Sequence, residues 1–213
     1  MNTLLVVRDG EARVVTASDR LRADGIGFGV ALAHLYPSTL FGDALAEVER
    51  VAVAAVHALG MRNGIAYPQL LVSGPTIRVV EVAARIPGGQ MVEVPRYGVG
   101  VDLVAIALRQ AFGEEVPDEV VFPRLEQPLA IRFLTAAPGP LPTGKVQSVG
   151  TLDKVMAFPG VVQADTYITL GETIRPVQVD GDRRGYVIAF GETNLEALER
   201  AEAAARLLDV EVA

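Results

Sequence analysis

The chain has 213 residues, half of them hydrophobic and 21% charged, which is ample core material and unlike a disordered segment. Its formal net charge of −7 argues against a nucleic-acid surface, and with no cysteine neither disulfides nor thiolate chemistry is available. The N-terminal apolar run is too short for a signal peptide, and no stretch approaches the roughly 18 uninterrupted apolar residues of a membrane span. The expectation is a cytoplasmic protein of one large or two small domains.

In chain order, TLLVV and ARVVTA flank Arg8-Asp9-Gly10-Glu11, where Asp-Gly between two β-rich runs predicts a hairpin. Residues 18–41 read as irregular and contain GIGFGV and HLYPS. Leu45, Val48, Val51, Ala52, Ala55 and Leu59 recur at helical spacing, so a helix is predicted from about Gly42 to Leu59, closed by Gly60. GIAYPQLLV and TIRVVEVAA form a second predicted hairpin around Ser73-Gly74-Pro75. A glycine turn, an irregular stretch and a helix from about Asp102 to Phe112 follow. The acidic, proline-bearing GEEVPDEVVFPRLEQP reads as a solvated linker. Beyond it lie short strands, LAIRFLTA, GKVQSVG, VVQADTYI and GYVIAFG. A last helix is announced by the capping box Thr193-Asn194-Leu195-Glu196, and DVEV ends as a strand. Antiparallel hairpins mixed with single helices predict an α+β fold, not a doubly wound parallel sheet.

The stretch VVEVAARIPGG, residues 79–89, carries a carboxylate and a guanidinium in an apolar strand. Side chains alternate across a strand, so Glu81, Ala83 and Arg85 share a face. With a turn at Ser73-Gly74, Gln69 lies diagonal to Glu81 on that face, about 7–8 Å away at Cα. Gln69 and Glu81 could then converge on one metal ion, with Arg85 beside a glycine turn that lets a ligand approach the backbone. An acid for Mg²⁺ and a fixed guanidinium for an oxyanion suit phosphoryl transfer. On spacing alone, a solvated surface pair of little energetic weight accounts for the same residues.

Other residues are weaker candidates. His34, beside Leu35 and Tyr36, either meets a phosphate or simply packs. His57 near a helix end reads as structural. GIGFGV, residues 25–30, does not follow a clear strand and open a helix, so it is a weak phosphate loop. Arg183-Arg184 reads as a solvated turn. Two histidines and no cysteine build neither a metal cluster nor a Ser-His-Asp constellation.

The run GMRNGIAYPQLLVSGPTIRVVEVAARIPGGQMVEVPRYGVGVDLVAIALRQAFG resembles the C-terminal half of an ATP-grasp domain. The carrying features are a hairpin with an acid position on each strand, acid-x-x-x-Arg before a glycine loop, and a G-x-D-L helix at Gly100, Val101, Asp102 and Leu103. DGEARVVTASDR through HLYPSTL is similar to the branch that ligates amino acids or other carboxylates to amines. Residues 126–213 resemble the small β-rich domain that follows it. The resemblance implies residues 1–115 as a partial ATP-grasp lobe and 126–213 as a β-rich C-terminal domain. It implies ATP and Mg²⁺ as cofactors, a small carboxylate and an amine as substrates, and activation through an acyl phosphate, with no nucleic acid and no membrane involved. Glu81 and Gln69 would hold the metal and Arg85 would stabilise the phosphoryl group. Leu71 would touch adenine, and Gly88 and Gly89 would present backbone amides near the acid substrate.

Three departures from the family pattern stand out. Gln69 replaces an acid, Ala83 replaces a frequent Asn, and the chain begins inside the ATP-grasp domain, without the lobe whose lysines hold the phosphates. Lys145 and Lys154 are the only lysines and lie in the last domain. Two readings therefore stay open: a ligase half needing another lobe, or a non-catalytic half that binds a ligand or partner without turnover. The apolar side of the hairpin, Leu71, Ile77 and Val79, is expected to lie uncovered and to recruit a partner chain or a second copy.

Overall fold

The computed structural model describes residues 1–25 and 29–213. The elements in order are β1 (Asn2–Arg8), β2 (Glu11–Arg22), β3 (Ala31–Tyr36), α1 (Gly42–Ala58), β4 (Gly64–Ser73), β5 (Thr76–Ala83), α2 (Glu93–Gly98), α3 (Leu103–Ala111), α4 (Asp118–Val121), β6 (Leu129–Phe133), β7 (Gly144–Val149), α5 (Asp153–Met156), β8 (Val161–Thr166), β9 (Thr173–Ile174), β10 (Gly185–Phe190), α6 (Asn194–Ala205) and β11 (Val210–Val212). They fall into two compact units: Met1–Asp19 with Tyr36–Gln127, and Arg20–Leu35 with Pro128–Ala213.

The first unit is built on antiparallel strands in the order β5-β4-β1-β2. Asp9 and Gly10 close the first hairpin with φ of 51° and 92°, both in the region the tight two-residue turn requires. Alternation along β1 sends Leu5 and Val7 to one face, where they meet Ala66 and Leu70 of β4 and the α1 stripe Val48, Ala52 and Val56. All three stripe residues are fully buried, and burial of each valine side chain contributes about 1.5–3 kcal/mol. Gly60, at φ 67°, ends the helix in the left-handed conformation its sequence predicts.

Two expectations fail. Residues 18–41 are not irregular throughout: β2 runs to Arg22, and β3 (ALAHLY) is buried along its length. The acidic stretch after Gly113 is not a solvated linker. Val116 and Val121 are buried, α4 forms, and Arg8 donates to the Val116 carbonyl at 2.7 Å and to Asp118 at 2.5 Å. The Arg13 guanidinium lies 3.9 Å from the centre of the Phe122 ring. The valines and phenylalanine interleaved with the acids decide this packing; the charge run masks them.

The second unit has strands in the order β3-β6-β10-β8 and a small sheet β11-β7-β9. Its core joins Leu134, Val146, Val155, Ile174 and Val187 to Ala201, Ala204 and Ala205 of α6. Thr193 caps α6 by accepting from the Glu196 amide at 3.1 Å. Glu196 reaches back to the Glu192 amide at 2.7 Å, one residue before the position a capping box uses. Arg183 and Arg184 are not a solvated turn. Arg183 stacks over Phe133, 4.2 Å from the ring centre, and pairs with Asp180, while Arg184 pairs with Glu172 at 3.3 Å.

Candidate functional site: the β4–β5 hairpin

The hairpin positions the predicted corner through its register. Ser73 faces Thr76, and pairing runs evenly to Leu70 opposite Val79. A bulge then intervenes, so that Gln69 faces Glu81 and Val80 is the extra residue. Without it Gln69 would face Val80, and Glu81 would lie on the other side of the sheet. The expected diagonal relation is therefore corrected to a direct one. Gln69 Nε2 donates to Glu81 Oε1 at 2.6 Å. Glu81 is exposed and Gln69 partly so.

The same register separates the apolar residues. Leu71 opposes Arg78 on the Gln69 face, and the two line a hollow of about 120 Å³ with Ser73 and Thr76. Ile77 opposes Val72, and both pack with the α1 cluster on the opposite face. Val79, opposite Leu70, also falls on the α1 side. Leu71, Ile77 and Val79 thus do not form one uncovered face. Leu71 and Val79 are both exposed, at 44% and 43%, but on opposite faces of the hairpin.

Arg85 lies beyond the end of β5, so strand alternation does not place it. It is exposed in a bend, and its Nη1 donates to the Ile86 carbonyl at 3.0 Å. Gly88 and Gly89 are exposed in the following turn, where Gly89 has φ 62° and the Met91 amide donates to the Gly88 carbonyl at 3.3 Å. The turn leads into α2. After it, Gly100 takes φ 74°, and Asp102 caps α3 by accepting from the Val104 and Ala105 amides at 3.0 Å each. Arg96 of α2 donates to the same carboxylate at 3.1 Å. The Ala105 amide above all, with Arg96 adding, holds the Asp102 carboxyl below its usual range.

His34 is not brought to a surface. It is 3% exposed in β3 of the second unit, edge-on to Phe133 at 5.5 Å. Burial, with the Arg20 and Arg183 guanidinium groups adding, holds its pKa down to about 3, so the imidazole is neutral at pH 7 and offers no cation to a phosphate. GIGFGV, residues 25–30, includes residues 26–28, which lie outside the described residues.

Among the described residues, no three Asp, Glu or His side chains come together as a metal cage. A cavity of about 730 Å³ in the first unit includes none of the predicted residues. Its one arginine, Arg8, is committed to Asp118 and Val116, leaving Asp9, Glu11, Glu114 and Glu115 on a wall that repels a triphosphate.

Sequence reading missed the buried polar residues behind the corner. Asn2 faces Gln69 on one side and Ser18 on the other. Ser18, Asn2, Gln69 and Glu81 thus form one row across four strands, and Tyr67 donates to Asn2 Oδ1 at 3.0 Å. Asn2 precedes an apolar run and Tyr67 suits any strand, so the sequence carries no signal of this row.

Residues 132–213 match the family model described as L-amino acid ligase C-terminal domain 2. The whole chain superimposes on the L-amino acid ligase from Bacillus licheniformis with a TM-score of 0.83 at 17% identity, covering 53% of that chain. The chain has the fold of the C-terminal half of an ATP-grasp ligase. Phosphoribosylglycinamide synthetase from Anaerococcus prevotii matches over 100% of this chain and 53% of its own, with TM-score 0.81 and 13% identity. The biotin carboxylase–β,γ-ATP complex from Campylobacter jejuni matches 99% of this chain and 45% of its own, with TM-score 0.71 and 17% identity. No curated protein matches the sequence. The chain spans about half the length of the ATP-grasp structures it resembles. No helix among the described residues is long and apolar enough to cross a membrane.

Proposed function

We propose that the chain is the C-terminal half of a cytoplasmic ATP-dependent carboxylate–amine ligase. The observation that carries this is the bulged hairpin. It sets Glu81 against Gln69 at 2.6 Å on an exposed sheet face of an ATP-grasp fold, ahead of a glycine turn. In the reaction, a carboxylate oxygen of the acid attacks the γ-phosphorus of ATP, releasing ADP and forming an acyl phosphate. The amine then attacks the acyl carbon and phosphate leaves, with the amine proton passing to solvent.

The corner offers one carboxylate, Glu81, which fits Mg²⁺ only as part of its shell, because Gln69 turns its Nε2 and not its oxygen to it. This cation is ordinarily held by one or two carboxylates, with phosphate oxygens and water completing the octahedron. Bound there, it would neutralise charge between phosphates. Glu81 supplies the anionic ligand, while Gln69, expected as a second ligand, orients that carboxylate by donating to it. Arg85 faces the transferring phosphoryl group, Gly88 and Gly89 present backbone amides to the acid substrate, and Leu71 with its hollow receives the adenine. The opposite wall of the nucleotide cleft comes from a further lobe, in the same polypeptide, a partner chain or a second copy. Alone, one wall binds weakly, because few pre-organised groups offset the cost of association. The hydrogen bond that already joins Gln69 to Glu81 favours the second reading, a half that binds a ligand or partner without turnover.

The test is ADP release from Mg·ATP with pairs of amino acids, for the chain alone and mixed with a nucleotide-binding lobe. We expect no measurable turnover alone, and turnover with the lobe that Glu81→Gln or Arg85→Ala abolishes. Turnover indifferent to both substitutions refutes the assignment.

A further inference from the structure

We propose that Asn2, pinned by Tyr67, is a positioning residue that fixes the sense of the Gln69 amide and, through it, the Glu81 carboxylate. This rests on reading that corner as the metal-facing site. Asn2 is 1% exposed, and antiparallel register places it directly opposite Gln69. Directly opposed side chains have Cβ atoms about 4.5–5.5 Å apart, within reach of one another. Tyr67, on the same face of β4 two residues from Gln69, donates its hydroxyl to Asn2 Oδ1 at 3.0 Å. With Oδ1 facing Tyr67, the Nδ2 donors of Asn2 turn away from it. Two polar side chains oppose Asn2 along the row, Ser18 and Gln69. The Ser18 hydroxyl is buried and makes no hydrogen bond, so the Asn2 amide is not spent there and is directed at Gln69. A donor from Asn2 selects the carbonyl end of Gln69, and the Gln69 amino group must then face Glu81, as the 2.6 Å bond shows. A buried, rigid group thereby orders two surface side chains that a ligand reaches.

The experiment records the Gln69 side-chain amide signals by ¹⁵N–¹H NMR in the full chain, wild type against Tyr67→Phe, Asn2→Asp and Ser18→Ala. Asn2→Asp replaces the donors with a carboxylate and draws the Gln69 amino group away from Glu81. Tyr67→Phe releases Asn2 while keeping the ring. We expect both to move the Gln69 signals and raise amide exchange with solvent several-fold, while Ser18→Ala leaves them in place. Unmoved Gln69 signals in folded Tyr67→Phe and Asn2→Asp overturn the proposal, as does an effect of Ser18→Ala equal to theirs. Adding Mn²⁺ with ATP to the wild type tests the underlying reading separately. Selective broadening of the Gln69 signals supports a metal-facing corner. Shifts in the variants without any broadening in the wild type leave the positioning role standing and remove the metal assignment.

Discussion

Replacing Asp102 by alanine tests the link between the glycine turn and the helix that follows it. The carboxylate accepts from two α3 amides at 3.0 Å and from Arg96 at 3.1 Å. Losing an N-cap costs about 0.5–2 kcal/mol, and losing an exposed ion pair adds about 0.2–1, so Asp102→Ala should destabilise the first unit by about 0.7–3 kcal/mol at pH 7. Asp102→Asn keeps an acceptor for the cap and should cost under about 1 kcal/mol, since Asn caps nearly as well. Because the Asp102 carboxyl is held below its usual range, its contribution is full above the unfolded value. It is lost as pH falls through the folded one. The gap between wild type and Asp102→Ala should therefore be constant from pH 5 to 8 and narrow below about pH 4. Hydrogen exchange at the Val104 and Ala105 amides, with urea unfolding across pH, reads this directly. Unchanged protection of these amides in Asp102→Ala, or a gap that persists at the lowest pH, would refute the reasoning.

Gly98→Ala would set a Cβ 2.8 Å from Cδ1 and Cε1 of the Tyr36 ring, which is 7% exposed and cannot yield. Overpacking of this kind costs about 1–3 kcal/mol, and Tyr36→Leu in the same chain should recover most of it in urea unfolding. His34 stays neutral in the folded state down to about pH 3, whereas the unfolded chain protonates it below 6.5, so its share of stability is full above 6.5 and falls as pH drops. His34→Leu should remove a slope of about 1.4 kcal/mol per pH unit between pH 6 and 4, and equal slopes in the two proteins would show the imidazole is not buried neutral.

Much of the first unit was legible because its signals are local. Asp9-Gly10, the α1 stripe, Gly60 and Asp102 each specify a turn, a helix face or a cap through their own chemistry, and each does so in the structure, as Thr193 does in the second unit. The order of such hairpins and single helices led to the α+β fold. What was not legible depends on register. One bulge residue, Val80, decides that Glu81 shares the Gln69 face and parts from Val79, and nothing in a run of valines marks which one bulges. Burial was hidden likewise. Val116 and Arg183 looked solvent-facing because their neighbours in sequence are charged or polar, while their packing partners are distant in the chain. The Asn2–Tyr67 pair joins strands 65 residues apart and has no local pattern at all.

The measurement closest to the central claim is calorimetric titration of Mg·ATP into the wild type, Glu81→Gln and Gln69→Glu. Glu81 is the one anionic ligand of the corner, and a second carboxylate at position 69 would add a full charge beside a dication. The account predicts weak binding by the wild type, none by Glu81→Gln, and at least tenfold tighter binding by Gln69→Glu. Binding of equal strength in all three proteins, or its absence from all three, would contradict it.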